Sequence, residues 1–179
     1  MTAGRTALVL VDLQHWITGM PWAPRDGAAV LEAAARLRAA LTGAGADASP
    51  QGPLYVAVRH LHADGSDGGA DAPANALHPE AAPGPDDLLV TKHGLDAFEG
   101  TGLREGLDRL GVTDLVLAGL STAHGVAATA RSAVAAGYRV TVVSDATASV
   151  SHTEHDQTLA ALETLGARIG TVESETAGR

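Results

Sequence analysis

Six short and nearly continuous apolar runs punctuate the chain: TALVLVD (6–12), LYVAVRH (54–60), DLLVTK (87–92), DLVLAG (114–119), YRVTVVS (138–144) and ARIGTV (167–172). Runs of this length without strict alternation predict strands covered on both faces, as in a parallel sheet. Between them the period of the pattern changes. In 27–42, Val30, Leu31, Ala34, Leu37 and Leu41 fall on one side of a helical repeat, and 101–111, 124–136 and 152–166 behave alike. Gly43, Gly111, Gly137 and Gly166 stand where helix-ending glycines belong. Strands that alternate with helices predict right-handed crossovers, hence an α/β fold with a doubly wound, mostly parallel, six-stranded sheet in a three-layer αβα sandwich.

Two stretches break this rhythm. TGAGADASPQGP (42–53) reads as a surface connection, and the longer segment 62–87, rich in Gly, Pro, Asp and Ala, reads as a lid or an interface. With 179 residues the chain suits one domain over 1–179. Aromatic residues make up only 3% against 45% hydrophobic residues, so the core has to be aliphatic.

The net charge of −9 and the lack of any basic cluster argue against nucleic acid and anionic membrane as partners, and say little about the small-molecule substrate that is expected. The chain has no cysteine, so disulfides, zinc–thiolate sites and thiol nucleophiles are excluded. The first apolar run is cut by Asp12, short of a secretory leader. No run approaches the roughly 20 apolar residues of a membrane span. A cytoplasmic location is expected by default.

In doubly wound sheets, ligands bind beyond the carboxyl ends of the strands, near the point where strand order reverses. Asp12 closes the first strand, with Gln14 and Trp16 just beyond it. Arg59, His60 and His62 follow the second strand, and Lys92 and His93 the third. Ser121, Thr122 and His124 follow the fourth, and Ser144 and Asp145 the fifth.

No dinucleotide fingerprint follows the first strand, and no phosphate-binding loop occurs. GLSTA (119–123) misses the serine-hydrolase elbow by one glycine, and the Ser121–His124 spacing is not that of a triad. His60 with His62, and His152 with His155 and Asp156, are ligand-capable but lack a clear third ligand. Loop contacts and a solvated helix start account for them, and neither a metal nor a cofactor is expected.

Asp12 and Lys92 each close an apolar strand, where a charge is costly. The plainer alternatives are a structural carboxylate at Asp12 and a surface pair of Lys92 with Asp86 or Asp87. A carboxylate and an ammonium at one sheet mouth also suit proton transfer and the orientation of a polar substrate.

Three segments carry a resemblance. ALVLVDLQ (7–14), LHPEAAPGPDDLLVTKHGLDAFEGTGL (77–103) and LVLAGLSTAHGVAATARSAVAAGYRVTVVSDA (115–146) resemble the isochorismatase-like hydrolase superfamily, the cysteine-hydrolase group, over nearly the whole chain. The resemblance places Asp12 on the family aspartate, Lys92 on the family lysine and Gly125 on the nucleophilic cysteine. Glycine has no side chain, so covalent thiol catalysis is ruled out here. Isochorismatases proper also carry glycine there and hydrolyse a vinyl ether, a reaction that needs a general acid and a cation.

The local order Thr122-x-His124 looks more like the nicotinamidases, whose metal-holding Asp-x-His position here reads His60-Leu61-His62. The resemblance further implies a non-proline cis peptide at Leu120–Ser121. It also implies a pocket drawn from Gln14, Trp16, His60, Leu120, Ser121, Thr122 and His124, and a homodimer or larger homo-oligomer.

Three readings are carried forward. The first is a thiol-independent hydrolase using Asp12 and Lys92. The second is a silent binding or assembly homologue. The third gives His124 the part of base or nucleophile.

Overall fold

The computed structural model describes residues 4–42 and 52–177. Gly43 and most of the connection 42–53 lie outside the described residues. The strands are β1 (Arg5–Val11), β2 (Leu54–His60), β3 (Leu88–Lys92), β4 (Val112–Leu120), β5 (Arg139–Ala148) and β6 (Arg168–Gly170). They form one sheet in the order β3-β2-β1-β4-β5-β6, with every neighbouring pair parallel. Strand order reverses between β1 and β4, which fixes the crevice where a ligand is expected.

The helices are α1 (His15–Thr18), α2 (Gly27–Thr42), α3 (Leu103–Arg109), α4 (Ala127–Ala135), α5 (His152–Thr164) and α6 (Val172–Thr176). Odd-numbered positions of β1 (Ala7, Val9, Val11) pack with Leu103 and Leu107 of α3, Ala127, Ala130 and Ala133 of α4, and Leu159 and Leu162 of α5. Even positions (Leu8, Leu10) pack with Val30, Ala34, Leu37 and Leu41 of α2 and with Val172 of α6. The strands are therefore apolar on both sides because both faces are covered, the cause of their unbroken runs. Among the described residues no helix is long and apolar enough to cross a membrane.

Gly137 and Gly166 end α4 and α5 at positive φ. The chain around the second of these bonds back as expected, with Ala167 N donating to Leu162 O and Gly166 N to Glu163 O, each at 3.0 Å.

The strand and helix expectations differ from the structure in three places. β5 runs on past Ser144 to Ala148. Between the pairs Leu117↔Val142 and Gly119↔Thr147 it spends extra residues in a bulge. Arg25 offsets that distortion by donating to Ser144 O at 2.8 Å and Thr147 O at 2.7 Å. The sixth strand stops at Gly170 because Thr171 caps α6, its side chain accepting from Ser174 N while Ser174 Oγ accepts from Thr171 N. α1 is a single turn, too short for periodicity to register.

The 62–87 segment is bound to the body. Leu77 bridges Gln14, Tyr55 Oη donates to Ala81 O at 2.6 Å, and Arg38 donates to the carbonyls of Glu80 and Ala82.

Candidate active site

The site is built where β1, β2, β3 and β4 end together. Val11 is in register with Val58 on one side and with Gly119 on the other, and His60 is in register with Lys92. Gly119 has φ +114, and a Cβ there would strike the Val11 backbone, so only glycine lets β1 and β4 pair this closely at the crevice.

Directly after Val11 the chain turns at Asp12, whose φ is +55, a conformation that aspartate tolerates better than most residues. Its amide still donates to Val58 O at 2.9 Å. The turn points its carboxylate into the protein, where only 5% of the residue is exposed.

Lys92 meets it there. Its ammonium lies 2.7 Å from Asp12 Oδ2, and the lysine is 1% exposed. Lys92 Nζ also donates to Gly94 O at 3.1 Å, which leaves one of its three N–H groups for another acceptor. Asp86 and Asp87 have no part in this, since Asp87 pairs with Arg38 at 3.3 Å.

Burial raises the Asp12 carboxyl from 3.8 to about 6, and the Lys92 charge and hydrogen bond pull it only partly back. Its Oδ1 is buried and has no hydrogen-bond partner. An orphaned carboxylate oxygen of this kind is costly unless a donor arrives or a proton binds.

Gly125 adjoins the same carboxylate. A Cβ built on it would lie 3.2 Å from Asp12 Oδ2, 3.1 Å from Val11 Cγ1 and 3.6 Å from Leu120 O. Position 125 thus abuts the aspartate of the pair, and its neighbours close in so far that even a Cβ there would be crowded. The Leu120–Ser121 peptide is cis. Residues 122–126 form a π turn, with Val126 N donating to Ser121 O at 3.1 Å.

The sequence-predicted residues fall into three groups. Asp12, Lys92 and Gly125 come together. Trp16, Leu120, Ser121 and His124 line an apolar cavity of about 240 Å³ next to them, with Met20, Trp22 and Val150. Ser121 Oγ and His124 Nδ1 are 2.9 Å apart.

Gln14 and Thr122 do not line this cavity, against expectation. Both are fully buried. Gln14 clamps backbone, accepting from His60 N and donating to His60 O and Asn75 O. Thr122 Oγ1 faces His155 Nδ1 at 2.8 Å behind the turn. His60 does not line the cavity either: it ends β2 beside Lys92, its Nδ1 3.3 Å from Gly94 O, and burial followed by the Lys92 charge lowers its pKa. His62 turns to Ser66. Among the described residues no three His, Cys, Asp or Glu side chains gather as a metal would require.

The supporting residues were not legible as such. His155 reads as part of a solvated helix start, yet it is 3% exposed, and burial lowers its pKa. Ser149 Oγ accepts from Ala123 N at 3.1 Å and holds the turn from β5. Asp96 accepts from Ser132 Oγ, and Thr129 Oγ1 accepts from Ala97 N at 3.1 Å, which ties the segment after Lys92 to α4. The inward spacing of His155 with Leu159 and Leu162 on α5 was the available signal.

A doubly wound sheet with a buried aspartate–lysine pair at its switch point, beside a glycine-bearing strand-to-helix turn, defines a class of α/β small-molecule site. An Isochorismatase domain model matches residues 6–174, and the chain belongs to that family.

Among its relatives, the streptothricin hydrolase of Streptomyces noursei is 38% identical over 146 residues. That match covers 80% of this chain and 49% of that protein, so the chain spans about half the relative's length. The isochorismatase family protein YecD of Escherichia coli O157:H7 is 30% identical, with 97% and 95% covered. Of the solved structures, an isochorismatase family protein from Burkholderia thailandensis superposes with a TM-score of 0.82 at 30% identity, covering 96% of this chain and 95% of that one.

Proposed function

We propose that the chain is a thiol-independent hydrolase of a small molecule, in which Asp12 transfers the proton and Lys92 holds the substrate. The observation that carries this reading is Asp12 itself. It is a buried carboxyl raised to about 6, its Oδ2 paired to Lys92 and next to Gly125, and its Oδ1 without a partner. Catalytic acids are tuned in this way, by burial that outweighs a neighbouring charge.

The chemistry that suits this set is hydrolysis of an enol (vinyl) ether. Protonated Asp12 gives its proton to the enol carbon, and the C=C–O unit becomes an oxocarbenium ion. Water adds to the cationic carbon and returns a proton to Asp12. The resulting hemiketal breaks its C–O bond to release an alcohol and a carbonyl compound. The remaining N–H of Lys92 is placed to hold a substrate oxygen as charge redistributes.

The family relationship and the likeness to a protein named streptothricin hydrolase support hydrolysis as the reaction class. Asp12→Asn keeps the shape and removes the proton. Turnover of enol ethers is expected to fall by about 10²–10⁴-fold in that variant, the span of general acid–base catalysis. Undiminished turnover overturns the reading.

A second reading draws on the same pair. Asp12 and Lys92 pair at 2.7 Å, as they would in a binding protein that has no chemistry to perform. That reading predicts ligand-induced stabilisation without turnover of any amide, ureide or enol ether.

A further inference from the structure

The exposed apolar residues are unevenly placed. Of the six large apolar side chains that are exposed among the described residues, Trp16, Met20 and Val150 border one cavity, the one beside Gly125. Its wall is completed by Trp22, Leu120 and Ile17, and its only polar side chains are Ser121 and His124, which are bonded to each other. No Lys, Arg, Asp or Glu lines it.

The cavity adjoins the proposed reaction centre at Leu120. That residue's carbonyl lies 3.6 Å from the Cβ position of Gly125, and the same position meets Asp12 Oδ2 at 3.2 Å. Lys92 lies at the reaction centre and not in the cavity wall, so its charge is not among the groups that face an occupant between the tryptophans.

From this we infer that the cavity binds an uncharged aromatic or aliphatic group of the substrate, and that the enzyme selects neutral substrates over polycarboxylates. A charge moved from water onto Trp16, Met20 and Val150 gives up part of its hydration, and no Lys, Arg, Asp or Glu side chain lines the cavity to offset that loss. An uncharged ring gains burial against two indoles. The size agrees with one ring and a short substituent, since an apolar cavity of about 150 Å³ holds a single benzene ring and this one measures about 240 Å³. The inference rests on the reading of Asp12 and Lys92 as the reaction centre only in calling the occupant a substrate.

Both tryptophans of the chain border the cavity, so their emission and their two indole N–H resonances report occupancy without any turnover. Benzyl alcohol and benzoate form a nearly isosteric neutral and anionic pair. Benzyl alcohol is expected to shift both signals saturably, in the full chain and in Asp12→Asn alike. Benzoate is expected to bind at least about tenfold more weakly, because charge burial costs more than a factor of ten in affinity.

Trp16→Ala, at a half-exposed position, should weaken benzyl alcohol binding. Val150→Lys, at a position exposed to 58%, should reverse the order and favour benzoate. Benzoate binding as tightly as benzyl alcohol, or an unchanged order in Val150→Lys, overturns the inference. So does tryptophan emission that shifts with protein concentration without any probe, which would assign the patch to a contact between two copies of the chain.

These results are separable from the reaction-centre reading. Loss of turnover in Asp12→Asn without probe selectivity removes the inference and leaves that reading. Probe selectivity in a chain that hydrolyses no enol ether supports the inference and removes the reading.

Discussion

The two ends of the sheet each carry an acid–base pair, and the two pairs have little in common. At the carboxyl end, Asp12 and Lys92 lie 2.7 Å apart with side chains 7% and 1% exposed. At the amino end, Arg139 of β5 bonds Asp114 of β4 with the arginine side chain 71% exposed. The shorter contact is the exposed one, yet distance is a poor guide to consequence.

Water screens the Arg139 pair and would solvate either partner alone. Neither Asp12 nor Lys92 has that recourse. Each needs the other, and the desolvation that binds them also lifts the Asp12 carboxyl to about 6. Burial rather than pairing makes one carboxylate a candidate acid and leaves the other a solvated partner at the amino end of the sheet.

Breaking the buried pair should have the largest effect. Lys92→Met leaves a carboxylate with no cation in a dry site, and a loss of about 3–5 kcal/mol in urea denaturation is expected. A loss under about 1 kcal/mol would mean that Asp12 reaches solvent or takes a proton at no cost.

The next effect concerns pH. Because the folded pKa of Asp12 is raised, the native state binds more protons than the unfolded chain between about 4 and about 6. Its contribution is therefore fully present below the ordinary carboxylate value and is lost as pH rises through about 6. Unfolding free energy should fall by a few kcal/mol across this window, with a slope approaching about 1.4 kcal/mol for each pH unit, and level off above it. Asp12→Asn should flatten that slope, and turnover should decline through the same pH if the protonated carboxyl is the acid. A slope that persists in the variant assigns it to another group.

The smallest effect is expected at the amino end. Arg139→Ala should leave the denaturation midpoint within error, and added salt should not distinguish it from the parent chain. A clear loss there would show that the exposed pair is a stronger element than its solvation implies.

The legible parts of this protein are those that a local pattern reports. Both faces of the sheet are covered, so the strands appear as apolar runs. Asp12 and Lys92 stand out because a charged residue closes an otherwise apolar run. Gly137 and Gly166 mark helix ends because a positive φ is easiest for glycine. The missed parts depend on neighbours distant in the chain. β5 continues beyond Ser144 through a bulge whose carbonyls Arg25, more than a hundred positions away, takes up. Thr122 is a buried anchor rather than a pocket residue because α5 brings His155 behind it, 33 positions away. The apolar cavity draws on residues 16–22, 120–124 and 150, and no single segment of these looks like a binding site.

By itself the sequence determined the doubly wound sheet, the two charged residues at its mouth and the exclusion of thiol chemistry, since all three follow from residue type and period. Only the tertiary structure decided that Asp12 and Lys92 touch, that Gly125 abuts the carboxylate, and that Asp12 Oδ1 has no partner. Hydrogen-bond satisfaction and desolvation are set by what lies within a few ångströms across strands, and a pattern along one strand carries no record of that distance.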